Sequence, residues 1–130
     1  MYVIQKYAYW VSTVLLASLY LGGAAYYFSD LEGVRHAFMA LGYPTYLIPI
    51  LGVTKLLGAV VVLWRFNVAL SNLAYAGMFY HLLLALSAHI NAGDGGFAPA
   101  VVGLVALFIS FLTQNFARAK KSPYPAFSPG

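Results

Sequence analysis

Cysteine is absent from this chain, and charged residues are scarce. Without a thiol the chain cannot form disulfides, iron–sulfur centres with cysteine ligands or cysteine-anchored zinc sites. Charged residues make up 8% of the sequence, whereas about a quarter is usual in soluble domains. Seven basic and three acidic side chains cannot cover a water-soluble surface for 130 residues. The scarcity of charge therefore indicates that lipid, rather than water, surrounds most of this chain.

Dense positive charge is missing as well. The net charge is +4, and the basic residues lie next to apolar stretches, where lysine and arginine set membrane orientation and contact anionic headgroups. Nucleic-acid-binding domains carry a much denser basic surface. We therefore expect the lipid bilayer as a partner and no nucleic acid.

Long apolar stretches are abundant, since 62% of the residues are hydrophobic. Four stretches of ~20 residues each can cover the ~30 Å hydrocarbon layer as helices, which pair their own backbone groups. They span residues 8–28, 44–64, 68–90 and 97–117. The first is longer than the ~7–15-residue core of a cleaved signal, so we expect it to be retained. The sequence predicts an all-α fold, a four-transmembrane-helix bundle over residues 1–117.

The segments between the spans predict which way the bundle faces. Basic residues without acids fall on one side, and all three acids fall on the other. The basic side holds Lys6, Arg65, Arg118, Lys120 and Lys121, and the other side holds Asp30, Glu32, Arg35 and Asp94. This bias predicts that both termini are cytoplasmic. The basic, proline-rich tail of residues 118–130 is expected to be extended or disordered unless a partner holds it.

The first outer loop predicts a short amphipathic helix on the membrane surface. Ser29 and Glu32 fit a capping box, in which a hydroxyl and a carboxylate satisfy the first backbone donors. Gly42 can end this helix, and Pro44 can begin the next. Apolar residues then recur at helical spacing, at Leu31, Val34, Phe38 and Leu41.

Two ionisable residues fall deep inside the predicted spans, where charge is unfavourable and often functional. Lys55 lies roughly 16 Å below the outer boundary and His81 roughly 13 Å, on antiparallel neighbours. With Tyr20, Tyr75 and His89 they form a candidate ligand-binding group. Ser18 and Ser110 fall at a comparable depth. Because no acid lies within a span, Lys55 has no obvious counter-ion in the chain. Three roles are open for Lys55 and His81. They can hold the bundle in register by bonding helix carbonyls and hydroxyls, form a ligand or proton site, or form an interface with another subunit.

Metal and catalytic sets are not evident. His81 and His89 lie two helical turns apart, roughly 12 Å along the axis, which is too far to share a metal ion. No Ser–His–Asp set, phosphate loop or dinucleotide motif is present. We therefore assign no catalytic residue and no metal ligand, and whether the chain is an enzyme stays open, with the balance against it.

Several segments carry a family resemblance. Residues 41–47 (LGYPTYL), 49–59 (PILGVTKLLGA), 73–79 (LAYAGMF) and 87–94 (SAHINAGD) together resemble the DoxX-like family of small bacterial membrane proteins. The motif residues are Gly42, Tyr43, Pro44, Gly52, Lys55, Gly58, Tyr75, Gly77, His89 and Asp94. Where relatives often have an acid after the aromatic run, this chain has His81.

The resemblance implies a four-helix protein of the bacterial inner membrane. The family is named after a membrane subunit of a thiosulfate:quinone oxidoreductase, and other relatives are associated with redox-stress assemblies. We therefore expect a non-catalytic subunit of a larger membrane complex, or a chain that associates with itself. The alternatives are a quinone or other lipophilic ligand at Lys55 and His81, with a role as an oxidoreductase component, and a small transporter.

Overall fold

The computed structural model describes residues 1–129. Within these residues all regular structure is helical: α1 (Val3–Ser29), α2 (Leu31–Leu41), α3 (Leu47–Trp64), α4 (Val68–Ala92) and α5 (Ala98–Ala117). Four of the helices, α1, α3, α4 and α5, are long and apolar enough to cross a membrane. The predicted all-α bundle of four spans is confirmed, and α1 begins five residues earlier than the sequence predicted.

The four long helices form a ring in which α1 and α4 occupy opposite corners. α1 packs extensively against α3 and α5, and α4 closes the ring with fewer contacts to the same two helices. The core lies between them and includes Leu16, Tyr20, Ala59, Tyr75 and Leu82. α4 is the least buried of the four long helices. The ring is therefore tight around α1 and looser along α4.

The short amphipathic helix exists as predicted, but a different residue caps it. α1 continues through Ser29, whose hydroxyl donates back to the Tyr26 carbonyl at 3.4 Å, so Ser29 cannot serve as the N-cap. Asp30 takes that position, and its side chain accepts from the Gly33 N–H at 3.1 Å. α2 ends at Gly42, which is left-handed with φ 81°. Its inner face packs a second small core, Val34 and Phe38 with Ile48.

The second span begins later than predicted. Pro44 lies in a turn, and α3 starts three residues on, at Leu47. The Leu47 and Ile48 amides donate to the carbonyls of Pro44 and Thr45 at 3.3 and 3.2 Å. The turn therefore supplies acceptors for the first α3 amides, which would otherwise have no partner within the helix.

The two ends of the bundle differ in charge. We call the end with Lys6, Arg65, Arg118, Lys120 and Lys121 the basic end, and the end with Asp30, Glu32 and Asp94 the acidic end. At the basic end the tail folds back onto the bundle. Asn115 and the Ser122 backbone exchange two hydrogen bonds of 2.8 Å, and the Ser122 hydroxyl donates to Asn72 at 3.1 Å. The first part of the predicted tail is thus irregular but held by the chain itself.

Candidate functional site

Lys55 lies halfway along α3 and points into the bundle. Its Nζ lies 3.3 Å from His81 Nε2 on α4, which is its only hydrogen-bond partner among residues 1–129. The same nitrogen lies over two α1 rings, 4.9 Å from the Tyr20 centroid and 5.2 Å from the Tyr27 centroid. Ring faces attract a cation, by about 0.5–2 kcal/mol per ring. Since an ammonium has three N–H donors, Lys55 retains donor capacity for a further group.

The His81 ring connects Lys55 to Tyr20. Its Nδ1 lies 2.8 Å from the Tyr20 hydroxyl, which also donates to the Met78 carbonyl at 3.3 Å. If the hydroxyl donates to Met78, His81 Nδ1–H donates to Tyr20 and Nε2 accepts from the Lys55 ammonium. If the hydroxyl donates to Nδ1 instead, Nε2 carries the proton and faces an uncharged amine. The proton position on His81 and the charge of Lys55 are therefore linked.

A cavity of about 260 Å³ opens beside this group, between α1, α4 and α5. We call it the polar cavity, because its wall includes the Lys55–His81–Tyr20 cluster. It extends from there to the turn that joins α4 and α5. Its lining includes Tyr20, Gly23, Tyr27, Lys55, His81, Ala85, His89, Gly96 and Pro99. The cavity therefore joins the deepest polar side chains to the acidic end of the molecule.

A second space of about 500 Å³ meets the same cluster from the opposite direction, between α3 and α4. We call it the apolar groove. Lys55, His81 and Tyr20 line its inner wall, and the rest of the lining is mainly aliphatic. Its other members include Leu51, Leu57, Gly58, Val61, Leu70, Leu73, Gly77 and Met78. A carbon added at Gly77 would meet nothing within 4 Å, so small residues keep the groove open.

The acidic end of the polar cavity carries its own polar pair. His89 Nδ1 lies 2.9 Å from both oxygens of the Asp94 carboxylate. The Gly96 N–H donates to Asp94 Oδ1 at 2.8 Å, and this bond, followed by the His89 contact, holds the pKa of Asp94 below its ordinary value. A Cβ on Gly96 would lie 2.9 Å from His89 Nδ1, so glycine lets the turn approach the ring closely.

The structure separates the remaining candidates from this cluster. The Tyr75 hydroxyl lies 2.7 Å from Ser110 Oγ, which lies 2.6 Å from Thr13 Oγ1, in a buried row of three hydroxyls. Tyr75 was grouped with Lys55 by sequence, but its hydroxyl lies in this row instead. Ser18, which falls at a similar depth, faces outward and is exposed.

The family-motif residues mostly shape the helices around the cluster. Gly42 ends α2, and the Tyr43 hydroxyl donates to the Leu84 carbonyl at 3.4 Å, which ties this turn to α4. Gly52 faces the Phe28 ring, where a Cβ would lie 2.8 Å from Cζ, so α1 and α3 approach closely there. Gly58 faces the Met78 methyl across the apolar groove.

Sequence reasoning missed two contributors to the cluster. Tyr27 supplies a ring face to Lys55, and Gly23 lies where a Cβ would be 3.5 Å from Lys55 Cδ. Both lie one helical turn or two beyond Tyr20 on α1, so helical spacing from Tyr20 was the signal available. Among residues 1–129 no group of three or more His, Cys, Asp or Glu side chains could hold a metal ion.

Comparison with known sequences identifies the family. A profile of the DoxX-like family matches residues 11–112, which include Lys55, His81, His89 and Asp94. A search of curated proteins and a search of solved structures each returned no significant match. The matched segment extends from α1 into α5 and covers more than half of the chain. The chain therefore belongs to the DoxX-like family and is a multi-pass integral membrane protein.

Proposed function

We propose that this protein binds a lipophilic molecule with a carbonyl-bearing head, of the quinone class, at the Lys55–His81–Tyr20 cluster. The observation that carries the proposal is the position of Lys55. It is an ionisable side chain deep in a membrane span, with one hydrogen-bond partner among residues 1–129 and open space on two sides. Ionisable groups at this depth are unfavourable unless they pair or serve a ligand.

The chemistry of the cluster favours a carbonyl oxygen over a cation. Lys55 retains N–H donors in either charge state, and the His81 ring, which contacts both Lys55 and Tyr20, holds its amine in place. Tyr20 adds a hydroxyl that already bridges His81 and the Met78 carbonyl. No carboxylate among residues 1–129 forms an ion pair with Lys55. Donors without a counter-ion suit an oxygen acceptor, and the keto oxygens of a quinone are of that kind.

The apolar groove suits the tail of such a molecule. Its wall is aliphatic and runs along α3 and α4, where the ring of helices is looser. A ligand that enters from the lipid would lay its isoprenoid chain between Leu57 and Leu73 and bring its head to Lys55. Pockets with a largely apolar wall and a few convergent polar groups are the usual form of a small-molecule site.

The test is quinone retention in lipid nanodiscs. Purified protein is equilibrated with a short-chain ubiquinone and separately with a menaquinone, recovered on affinity resin, and the bound quinone is extracted and quantified. We expect retention by the unaltered chain, loss in the Lys55→Met, His81→Phe double variant, and no change in Lys120→Met. Gly77→Leu, which places a side chain in the groove one helical turn from His81, should also lower retention. Equal retention by the unaltered chain and the double variant would refute the site.

A second candidate is a non-catalytic subunit of a larger membrane assembly, or self-association. The observation that favours it is the low burial of α4, where large side chains such as Leu73, Tyr80 and Leu84 face outward. A neighbouring protein could cover this face as well as lipid can. Mass determination after purification in mild detergent tests it, and a species with the mass of a single chain would count against it.

We also propose that the protein resides in the bacterial inner membrane with both termini cytoplasmic. The basic end carries five lysine or arginine side chains and no acid, which is the distribution of cytoplasmic loops. The further candidate of a small transporter has less support, because four helices leave little room for alternating access without oligomerisation. Reporter fusions at the C-terminus test the orientation, and proteoliposome flux tests transport.

A further inference from the structure

The polar cavity contains more than a quinone head would need. It runs past the Lys55–His81–Tyr20 cluster along α4 and reaches the turn at the acidic end. His81, Ala85 and His89 follow one another at four-residue spacing on α4 and all line it. Residues four apart share one face of a helix. The cavity wall on α4 is therefore a stripe that begins at the cluster and ends at the His89–Asp94 pair.

The walls that α1, α5 and the α4–α5 turn contribute also leave space between the cluster and the acidic end. α1 contributes Gly23, which leaves the space beside the Lys55 stem unfilled. The turn contributes Gly96, and α5 contributes Pro99 near its first residues. At the basic end, by contrast, a row of buried hydroxyls and packed side chains fills the bundle below Tyr75. Inside the ring of helices, the space on the α5 side of Lys55 thus continues toward the acidic end, separate from the apolar groove between α3 and α4.

From these observations we propose that the polar cavity is an aqueous passage that connects Lys55 and His81 with the medium at the acidic end, with His89 and Asp94 at its mouth. This inference rests on the proposed function and deepens it. The lipophilic tail reaches the cluster from the bilayer through the apolar groove. Water, and through it protons, reach the same cluster from the acidic end alone.

The polar contacts at the mouth are those expected of a wetted opening. The Asp94 carboxylate is held by the His89 ring and the Gly96 amide, and its side chain remains 41% exposed, while that of His89 is 29% exposed. His89 and Gly96 line the cavity, and both contact the Asp94 carboxylate, which is open to solvent. Polar walls and sufficient volume are what a cavity requires to hold ordered water.

Absence of cysteine makes a direct test possible, because any introduced thiol is the only one in the chain. Single cysteines are placed at neighbouring positions on α4, Ala85→Cys in the cavity wall and Leu84→Cys on the lipid-facing surface. A second matched pair on α1 is Gly23→Cys in the wall and Gly22→Cys outside. A charged, membrane-impermeant thiosulfonate is added to oriented proteoliposomes from each side in turn.

A thiol reacts as its thiolate, which requires water. We expect Ala85→Cys and Gly23→Cys to be modified to completion from the acidic side, while Leu84→Cys and Gly22→Cys stay unmodified over the same time. Wall positions that react no faster than their lipid-facing neighbours, or that react only from the basic side, would overturn the passage. Two independent pairs cover the case in which one variant does not fold.

The failure of this proposal is distinguishable from that of quinone binding. Thiol modification needs no ligand. The experiments can therefore show quinone retention without the passage, or the passage without quinone retention. When both hold, saturating quinone should slow modification at Gly23→Cys, next to the Lys55 stem, more than at Ala85→Cys, nearer the mouth. Equal slowing at both positions would place the quinone head in the passage itself. It would overturn the proposal that quinone enters through the apolar groove and water through the polar cavity.

Discussion

The molecule holds buried or half-buried cations in two regions, and it treats them differently. At the basic end the Arg65 guanidinium donates to Gln114 Oε1 at 2.7 Å and to the Lys120 carbonyl at 3.0 and 2.7 Å. Arg118 donates to the Tyr9 hydroxyl at 2.7 Å and to the Leu63 carbonyl at 2.5 Å. In the middle of the bundle Lys55 has one nitrogen acceptor and two ring faces.

Cations in the two regions differ in how many of their donors the chain itself uses. Cations at the basic end neutralise carbonyls at the C-terminal ends of α3 and α5, where the helix dipole favours positive charge. Their donors are used by the chain itself, and they fix the tail. Lys55 sits where the dipole offers nothing and leaves donors unused beside open space. Such a group stabilises the fold little, so its presence requires another reason.

The largest decrease in the free energy of unfolding is expected when Arg65, a buried cation of the basic end, is replaced. Arg65→Met removes three hydrogen bonds. It leaves the Oε1 atom of Gln114, a fully buried side chain, without the guanidinium that donates to it. We expect the free energy of unfolding in mixed micelles to fall by about 3 kcal/mol. Lys6→Met, at an exposed cation of the same end, is the control and should change little. An Arg65 variant as stable as this control would remove the contrast between the two regions.

The buried hydroxyl row is expected to come second. Ser110→Ala leaves the hydroxyls of Thr13 and Tyr75 without their shared partner in a fully packed site. The free energy of unfolding should fall by about 2 kcal/mol, while quinone retention stays unchanged. Like the Lys55 cluster, this row of hydroxyls is polar and buried, but we assign it no ligand. If the Ser110→Ala variant lost quinone retention while fully folded, that assignment would be contradicted.

A smaller stability effect is expected at Tyr20. Tyr20→Phe removes the hydroxyl that holds His81 Nδ1, and we expect about 1 kcal/mol less stability. Quinone affinity should also weaken, because the His81 ring loses the group that orients it. Equilibrium dialysis in nanodiscs and chemical unfolding measure the two effects on one preparation. A variant that loses stability but keeps full affinity would show that His81 is oriented without Tyr20.

The smallest change in stability is expected at Lys55, the ionisable residue in the middle of the bundle. Lys55→Met replaces a poorly partnered cation with an apolar side chain of similar length, a change that is often neutral or stabilising in a buried setting. We expect the free energy of unfolding to be unchanged within about 0.5 kcal/mol or slightly raised, with quinone retention lost. A decrease as large as that of Arg65→Met would show that Lys55 is a structural cation like those of the basic end.

Much of this arrangement was accessible from sequence. Residue spacing alone set Lys55 and His81 at similar depth, and in the structure they lie 3.3 Å apart. The length of the four apolar stretches predicted the four spans, and helical spacing together with Gly42 predicted α2 and its end. These features follow from helical geometry and membrane thickness, which leave few alternatives for a chain of this composition.

Other features depend on tertiary contacts that spacing does not encode. Ser29 did not cap α2, because α1 continued through it and left Asp30 for that position. Tyr75 lay at a helical position compatible with the cluster, yet Ser110 and Thr13 on other helices lie close to its hydroxyl. The folded-back tail depends on Asn115 pairing with the Ser122 backbone, an irregular contact that no sequence period reports.

In the proposed site, Lys55 donates a hydrogen bond to the head of a bound quinone. Solid-state NMR dipolar recoupling between a ¹³C-carbonyl-labelled quinone and ¹⁵N-lysine in the lipid-reconstituted protein measures that contact directly. We expect strong dephasing of one lysine ¹⁵N signal at hydrogen-bonding distance, with that signal absent from Lys55→Met and retained in Lys120→Met. Bound quinone that dephases no lysine signal, or one that survives Lys55→Met, would contradict it.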